Sequence, residues 1–110
     1  MAQAVLRVEG LPDAPLDAAA AFHVDWLPRA RAALAERLDL ALTFAPADHE
    51  HRSWRLAAVQ ELAREAAPLR VNGVVGEGGP ALPAMLDWLA RAEAITGQLL
   101  TVDGNSDEKG

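Results

Sequence analysis

Apolar residues occur along this chain in two patterns, short runs that are almost continuous and longer stretches with helical spacing. The short runs predict four β-strands, at residues 4–8, 38–44, 69–75 and 98–102. The longer stretches predict three helices between them, within residues 13–38, over residues 48–66 and after Pro80. The last of these helices carries an apolar stripe formed by Leu82, Met85, Leu86 and Leu89.

Cap and turn residues mark the boundaries of these elements. Asp13 or Asp17 can cap the first helix, and Pro28 inside that helix should kink it or divide it in two. Asp48 stands where the cap of the second helix is expected. The third strand should be interrupted at residues 72–73, and residues 76–80 form a glycine-rich loop before the third helix.

The alternation of strands and helices predicts an α/β fold, a four-stranded parallel sheet with three crossover helices. Sequential right-handed crossovers place the strands side by side in chain order. Three helices must then cover two apolar faces and leave two edges open, so some apolar surface should stay exposed. We expect one domain over residues 1–104, followed by a polar tail at residues 105–110.

Composition and charge narrow the possible functions. The net charge of −6 opposes a general attraction to nucleic acid or anionic lipid, so neither is an expected partner. The absence of cysteine excludes disulfides and thiolate metal sites, and it suits a reducing cytoplasm, where we expect the protein. No apolar stretch approaches the roughly 18 residues that a membrane helix needs. The 51% hydrophobic fraction is rich in alanine, which buries little area, so self-association would stabilise the domain.

Two segments resemble one enzyme family. Residues 61–74, Glu-Leu-Ala-Arg-Glu-Ala-Ala-Pro-Leu-Arg-Val-Asn-Gly-Val, are similar to the helix-to-strand passage of the short-chain dehydrogenase/reductase family, where Ala-x-Glu, Pro and Arg-Val-Asn recur. Residues 94–104, Ala-Ile-Thr-Gly-Gln-Leu-Leu-Thr-Val-Asp-Gly, resemble the closing strand of that family, in the right order. Looser similarity extends to residues 24–26 and 40–44. The resemblance implies the second half of a Rossmann-like doubly wound fold, with the substrate loop after Asn72 shortened.

The resemblance also implies that the cofactor-binding turn and the catalytic side chains of the family are missing from this chain. The family binds its dinucleotide at a glycine-rich turn in the half that has no counterpart here, which implies no cofactor. Its proton relay uses a Tyr, a Lys four residues later, a Ser and an Asn, but this sequence contains no Tyr. Asp48 and Arg52 correspond to the Tyr and Lys, Asp25 to the Asn, and Ala45 or Pro46 to the Ser. A carboxylate cannot donate a proton as the phenol does near neutral pH, and Asp48 should instead pair with Arg52 at i, i+4 spacing.

Four polar residues at the start of the second helix are candidates for a metal or ligand site, namely Asp48, His49, Glu50 and His51. His49 and His51 are two residues apart and would point to different sides of a helix, so a polar cap is favoured over a metal site. We therefore expect no bound metal.

The loop that contains Gly76 and Gly78 is a second candidate ligand site. It joins a strand to a helix, where backbone N–H groups can cradle a phosphate. However, the loop has no Lys or Arg and includes Glu77, which would repel an anion. A tight turn is therefore the favoured interpretation.

Three aromatic side chains on the first two helices are candidates for a subunit interface. His23 and Trp26 share a helix face at i, i+3 spacing, and Trp54 lies near the start of the second helix. Each is also typical of core packing. In the resembled family the corresponding helices form the contact between subunits, which implies an interface here. The charged residues of these helices are expected to form a solvated face or the rim of the contact, namely Arg29, Arg31, Arg52, Arg55 and Glu61.

Two functional hypotheses follow. The first is a non-catalytic domain, similar to short-chain dehydrogenases, that acts as a homo-oligomer or as the partner of a full-length dehydrogenase. The alternative is a small-molecule binder or a divergent oxidoreductase-like enzyme that uses Asp25, Asp48, His49 and His51 at the carboxyl ends of the strands, where open α/β sheets bind ligands. The alternative requires these four side chains to converge on one concave site.

Overall fold

Four parallel strands form the centre of the fold. In the computed structural model, which describes residues 3–102, they are β1 (Gln3–Val8), β2 (Asp39–Phe44), β3 (Val71–Val75) and β4 (Leu99–Thr101). They pair in chain order, with Leu42 opposite Gly73 and Gly73 opposite Leu99. The predicted α/β fold, a four-stranded parallel sheet in chain order, is confirmed. The predicted polar tail at residues 105–110 lies outside the described residues.

Three helical crossovers connect the strands, as predicted. The first consists of α1 (Pro15–Ala21), a π-helical turn (Phe22–Trp26) and α2 (Leu27–Ala35). The second begins with a 3₁₀ turn (His49–His51) and continues as α3 (Arg52–Ala66), and the third is α4 (Ala81–Arg91). None of the helices within residues 3–102 has the length and apolar character needed to cross a membrane.

Pro28 distorts the first helical run without dividing it. In a regular α-helix its ring would clash with the carbonyl of Val24, and it has no N–H to donate. The turn just before it is widened, so that the N–H of Leu27 bonds to the carbonyl of Phe22, five residues back. The predicted disturbance is therefore present as a wide turn in a continuous helix.

The predicted side-chain caps are not formed. The residue before α1 is Ala14, Pro15 opens the helix with a preset φ, and Asp13 and Asp17 make no capping hydrogen bond. Asp48 precedes the 3₁₀ turn, but only its carbonyl takes part, accepting from the N–H of His51 at 3.0 Å. The predictions for Asp13 and Asp17 are wrong, because Ala14 and Pro15 begin α1. Asp48 does occupy the predicted cap position, but it caps the 3₁₀ turn without a side-chain hydrogen bond.

The first three helices all pack on one face of the sheet. Leu40, Leu42 and Phe44 of β2 belong to the same buried cluster as side chains of α2 and α3. A Cβ atom at Gly73 would lie 2.9 Å from Cγ2 of Val59, so the missing side chain lets α3 approach β3 closely. β3 continues through residues 72–73, and the predicted interruption of this strand is wrong.

The fourth helix lies alone on the opposite face. Leu89 of α4 is buried on that side of the sheet, and Gln3 donates from Nε2 to the carbonyl of Leu86 at 3.1 Å. The other three members of the predicted apolar stripe are only partly buried. Val5 of β1 and Trp88 of α4 remain 46% and 47% exposed, so apolar surface does stay uncovered, as predicted.

This placement changes the hand of the third crossover. Each step moves one strand along the sheet in the same direction, yet the connections after β1 and β2 run over one face and α4 runs over the other. The connection through α4 therefore has the opposite hand to the first two, and the prediction that all three share one hand is wrong. α3 already contacts both β3 and β4, which leaves the other face for α4 to cover. Reversed crossovers of this kind are rare in parallel sheets.

Candidate functional site

The carboxyl ends of the strands open into a cavity of about 540 Å³. The loops after β1 and β2 form its walls, and the first residues of the second helical run close it. Its polar lining residues are Glu9, Asp13, Asp48, His51 and Arg55. Open parallel sheets bind their ligands at this edge, so we take it as the candidate site.

Arg55 is the most deeply buried charged residue at this edge. It is only 7% exposed, and its guanidinium carbon lies 4.8 Å from the ring centre of Phe44 and 5.9 Å from that of Trp54. Nη1 donates to the carbonyl of Ala45 at 3.0 Å, whereas the buried Nε has no hydrogen-bond partner. Burial lowers the pKa of the Arg55 guanidinium, although an arginine stays protonated at neutral pH.

His51 is held in one tautomer by two fixed partners. The indole Nε1 of Trp54 lies 3.0 Å from Nδ1 of His51 and can only donate, so Nδ1 accepts. Nε2 must then carry the proton, and it donates to the carbonyl of Asp13 at 2.9 Å. Both ring nitrogens are occupied, and the side chain ties α3 to the loop before α1.

A second cavity, of about 310 Å³, lies beside the first, between residues 46–49 and the ends of β3 and β4. Its polar lining residues are Asp48, His49, Arg52, Arg55 and Thr101. Its apolar lining includes Pro46, Val75 and Leu99. Arg55 borders both cavities and is the buried residue that connects them.

The four residues of the predicted ligand site do not converge. Asp48 and His49 share the second cavity, while His51 turns inward toward the first. Asp25 lies exposed in the π-helical turn and lines neither cavity. Across residues 3–102, no three His, Asp or Glu side chains form a group that could hold a metal ion.

Asp48 and Arg52 are both exposed, and they do not form the predicted ion pair. The i, i+4 geometry that this prediction assumed is that of an α-helix. Asp48 instead precedes a 3₁₀ turn and α3 begins only at Arg52, so the two residues do not lie on consecutive turns of one helix. This prediction is wrong for that reason.

Gly76 and Gly78 lie in the loop between β3 and α4, on the face that α4 covers. Both line a third cavity, of about 290 Å³, together with Leu82 and Leu86. Gly78 has a φ of +68°, which a glycine adopts readily. A Cβ at Gly76 would lie 2.5 Å from Cγ2 of Val102, so this glycine makes room for the end of the last strand.

The predicted interface residues differ in exposure. His23 is exposed, and its Nδ1 lies 2.8 Å from the carbonyl of Ala19. Trp26 is partly buried against the core, with the guanidinium of Arg29 4.6 Å from its ring centre. Trp54 is also partly buried and packs edge-on against Phe44. His23 therefore lies on the outer surface, whereas Trp26 and Trp54 are both partly buried and pack against the core.

A groove of about 510 Å³ runs between the first helical run and α3, beside His23. Arg31 of α2 and Glu65 of α3 face each other across it, with Nε 2.8 Å from Oε2. The hydrogen bond with Arg31 lowers the pKa of Glu65, and the same bond raises the pKa of Arg31. The rim of the groove therefore carries charges of both signs.

The residues that carried the family resemblance lie together at the other end of the sheet. Arg70 pairs with Asp39 and also donates to the carbonyls of Leu89 and Ala92, at the end of α4. Asn72 donates to the carbonyl of Ile95 at 3.0 Å and accepts from the N–H of Gln98 at 3.1 Å. The two similar segments are thus joined by hydrogen bonds at the amino ends of the strands.

A comparison with models of protein families shows to which family the chain belongs. A family model described as short chain dehydrogenase-like protein matches residues 6–102. The chain belongs to the short chain dehydrogenase-like family. No curated protein and no solved structure matches the chain. Within this short chain dehydrogenase-like domain, the arginine and asparagine of the Arg-Val-Asn motif fasten β3 to α4 and β4 and lie away from both carboxyl-edge cavities.

Sequence reasoning missed Arg55, which it placed on the solvated face. Arg55 stands on the same side of α3 as Ala58, Val59 and Leu62, all of which are buried. These positions have i, i+3, i+4 and i+7 spacing, so the sequence did contain a signal of burial. Charge alone suggested exposure, because arginines are rarely buried without a partner.

Proposed function

We propose that this short chain dehydrogenase-like domain acts by association as a homo-oligomer and does not catalyse a redox reaction. The observation that carries the proposal is an apolar stripe on the outer side of the first helical run. Leu16 is 84% exposed and Val24 is 72% exposed, with the exposed Ala20 midway between them. Exposed apolar patches on a helix that already buries its inner side are typical of protein contacts.

The surroundings of this stripe suit contact between two copies. The groove beside it is rimmed by Arg31 and Glu65 and, further along α3, by Arg64 and its partner Glu61. A two-fold axis places the same surface on both subunits, so a surface that carries both signs of charge can complement itself. Trp26 and His23 would then lie inside the contact or at its margin.

The proposal that the domain is non-catalytic rests on the residues at the resembled positions. Asp25, Asp48 and Arg52 stand where a proton relay would need Asn, Tyr and Lys, and the sequence contains no Tyr. All three side chains are exposed, and Asp25 lines neither carboxyl-edge cavity. Titration with NADH, followed by nicotinamide fluorescence, should show no saturable change, and tight binding would contradict this part of the proposal.

Association can be tested with a pair of charge-matched variants. Val24→Glu places a carboxylate on the outer stripe and should weaken self-association at least about tenfold. Trp88→Glu adds the same charge to an exposed apolar residue of α4 and should leave association unchanged. Sedimentation velocity over a range of micromolar concentrations measures both. A monomeric wild-type protein at all these concentrations would rule out the homo-oligomer.

Association with a full-length dehydrogenase is the second form of the proposal. It predicts that the same stripe docks on a relative of this domain, so Val24→Glu would abolish capture of that relative in a pull-down while Trp88→Glu would not. A monomer that also fails to capture any dehydrogenase would leave association without support.

The alternative hypothesis, a small-molecule binder, is supported for only one part of the predicted ligand site. A site built from Asp25, Asp48, His49 and His51 together is not supported, because these residues are divided between separate surfaces. The cavity shared by Asp48, His49, Arg52 and Arg55 is the part of this edge that favours a ligand.

A further inference from the structure

Arg55 carries a buried positive charge that no carboxylate neutralises. The residue is 7% exposed, and no Asp or Glu among residues 3–102 forms an ion pair with it. Buried charges in proteins are normally paired, because desolvation of an ion is costly. The charge at this position therefore needs another explanation.

The hydrogen bonds of the guanidinium are also incomplete. Nη1 reaches the carbonyl of Ala45, and the ring faces of Phe44 and Trp54 offer partial compensation. The Nε atom has no partner within the described chain, and Nη2 makes no hydrogen bond to it either. Nε is enclosed by the protein, whereas Nη2 is not among the enclosed atoms, so Nη2 is the nitrogen from which Arg55 can donate to an oxyanion.

The two adjoining cavities differ in how well they suit an anion. The larger cavity has three carboxylates in its lining, Glu9, Asp13 and Asp48. The cavity of about 310 Å³ has only Asp48, against Arg52, Arg55 and His49. The smaller cavity is therefore the one in which an anion meets an excess of positive charge.

The walls of the smaller cavity indicate what kind of anion fits. Val75, Leu99 and Pro46 give it an apolar part of its lining, in addition to the basic residues of α3. An inorganic ion would leave this apolar lining in contact with water, whereas an organic acid can cover it. An acid group at Arg55 with a short hydrocarbon chain suits a lining of this mixed character.

We propose that Arg55 binds the carboxylate of a small organic acid in the cavity between residues 46–49 and the ends of β3 and β4. This site lies at the carboxyl edge of the sheet and does not depend on the association surface. It can exist in a monomer or in an oligomer, so its test and the association test use different variants.

The experiment measures binding of hexanoate, acetate and inorganic phosphate to the full-length chain by isothermal titration calorimetry. Sodium chloride at matched ionic strength is the control for general screening. Arg55→Met removes the guanidinium at similar volume, and Arg91→Met removes an exposed arginine of α4 with the same change in net charge. Far-UV circular dichroism checks that each variant keeps the fold.

The expected result is that hexanoate binds the wild type and Arg91→Met alike and binds Arg55→Met at least about tenfold more weakly. Acetate, which lacks the hydrocarbon chain, should bind more weakly than hexanoate to the wild type. Equal hexanoate binding by Arg55→Met and the wild type would overturn the site. So would the absence of binding by all three probes.

Two further outcomes are decisive. Phosphate binding that is tighter than hexanoate binding would overturn the organic-acid assignment and indicate an inorganic oxyanion. If Arg55→Met does not fold, Arg55→Lys keeps the charge but has no nitrogen at the position of Nη2. A folded Arg55→Lys with weakened hexanoate binding supports the proposal, and one with unchanged binding contradicts it.

Discussion

Two arginines with little exposure to solvent, Arg55 and Arg70, lie at opposite ends of the same sheet in contrasting surroundings. Arg70, at the amino ends of the strands, pairs with Asp39 and donates to carbonyls of α4. Arg55, at the carboxyl ends, has one carbonyl partner and no carboxylate. A satisfied network of this kind stabilises a fold, whereas an incomplete one leaves groups available for a ligand. The amino ends of the strands are therefore held by the more complete network, and the carboxyl ends are where we propose that a ligand binds.

The largest effect should come from Arg70→Met. It removes the ion pair with the partly buried Asp39, which keeps only the hydrogen bond from the N–H of residue 70, and it removes the donor to the carbonyls at the end of α4. We expect a loss of about 3 kcal/mol in the free energy of unfolding. Urea denaturation followed by far-UV circular dichroism measures this loss.

A double variant sharpens the interpretation of Arg70→Met. Adding Asp39→Leu removes the uncompensated carboxylate and should recover part of the lost stability. A loss below about 1 kcal/mol in the single variant, the range of surface ion pairs, would show that the amino end does not depend on this pair.

Asn72→Ala should have the next largest effect. Asn72 is 3% exposed, and its amide joins β3 to the segment before β4 by two hydrogen bonds. Loss of both should cost about 2 kcal/mol, because the carbonyl of Ile95 and the N–H of Gln98 lose their partners in a partly buried region. Thermal unfolding measures the change, and Ser53→Ala, on an exposed residue of α3, is the control. A melting temperature equal to that of the control would contradict the expectation.

Arg55→Met should have a small effect on stability, in contrast to the same substitution at Arg70. Replacing a buried charge that has no partner by an apolar side chain of similar length should change the free energy of unfolding by less than about 1 kcal/mol, or increase it. Parallel urea titrations of the two variants test this. Equal losses at Arg55 and Arg70 would remove the distinction between the two ends of the sheet.

The smallest effect is expected away from both ends, at the exposed pair of Arg31 and Glu65. The pKa of Glu65 is lowered in the folded protein, so its contribution is complete above the pKa of the unfolded chain, about 4.3. The contribution is lost as the pH falls through the lower, folded value. The urea midpoints of the wild type and Glu65→Gln should differ slightly at pH 7 and converge below pH 4. A difference that widens in acid would contradict this sign.

Much of the fold could be predicted from the sequence, because strand and helix periodicity is local information. The four strands, three crossovers and strand order were predicted, and the segments around Arg70 and Thr96 indicated the family that the match to residues 6–102 shows. The face on which α4 packs was not predicted, since it depends on which side α3 leaves uncovered. The absence of side-chain caps at Asp13, Asp17 and Asp48 likewise depends on Pro15 and on the 3₁₀ turn.

The candidate site was less predictable than the fold. Asp48, His49 and Arg52 were recognised as polar residues near the carboxyl edge, but their division between two cavities follows from the 3₁₀ turn at residues 49–51. Arg55 was assigned to the solvated face, although its position on the buried stripe of α3 was visible in the spacing. The general rule that charged residues are exposed outweighed the specific pattern at this position.

The solitary position of α4 has a consequence for motion. Three helices cover one side of the sheet, whereas α4 meets the other side without a neighbouring helix, with hydrogen bonds from Gln3 to Leu86 and from Arg70 to its last carbonyls. Such an element can detach as a unit while the remaining layers stay intact, so its backbone amides should exchange with deuterium sooner than those of α3. The loop with Gly78 and Gly79, both at positive φ, would be the hinge about which α4 moves when it detaches from the sheet.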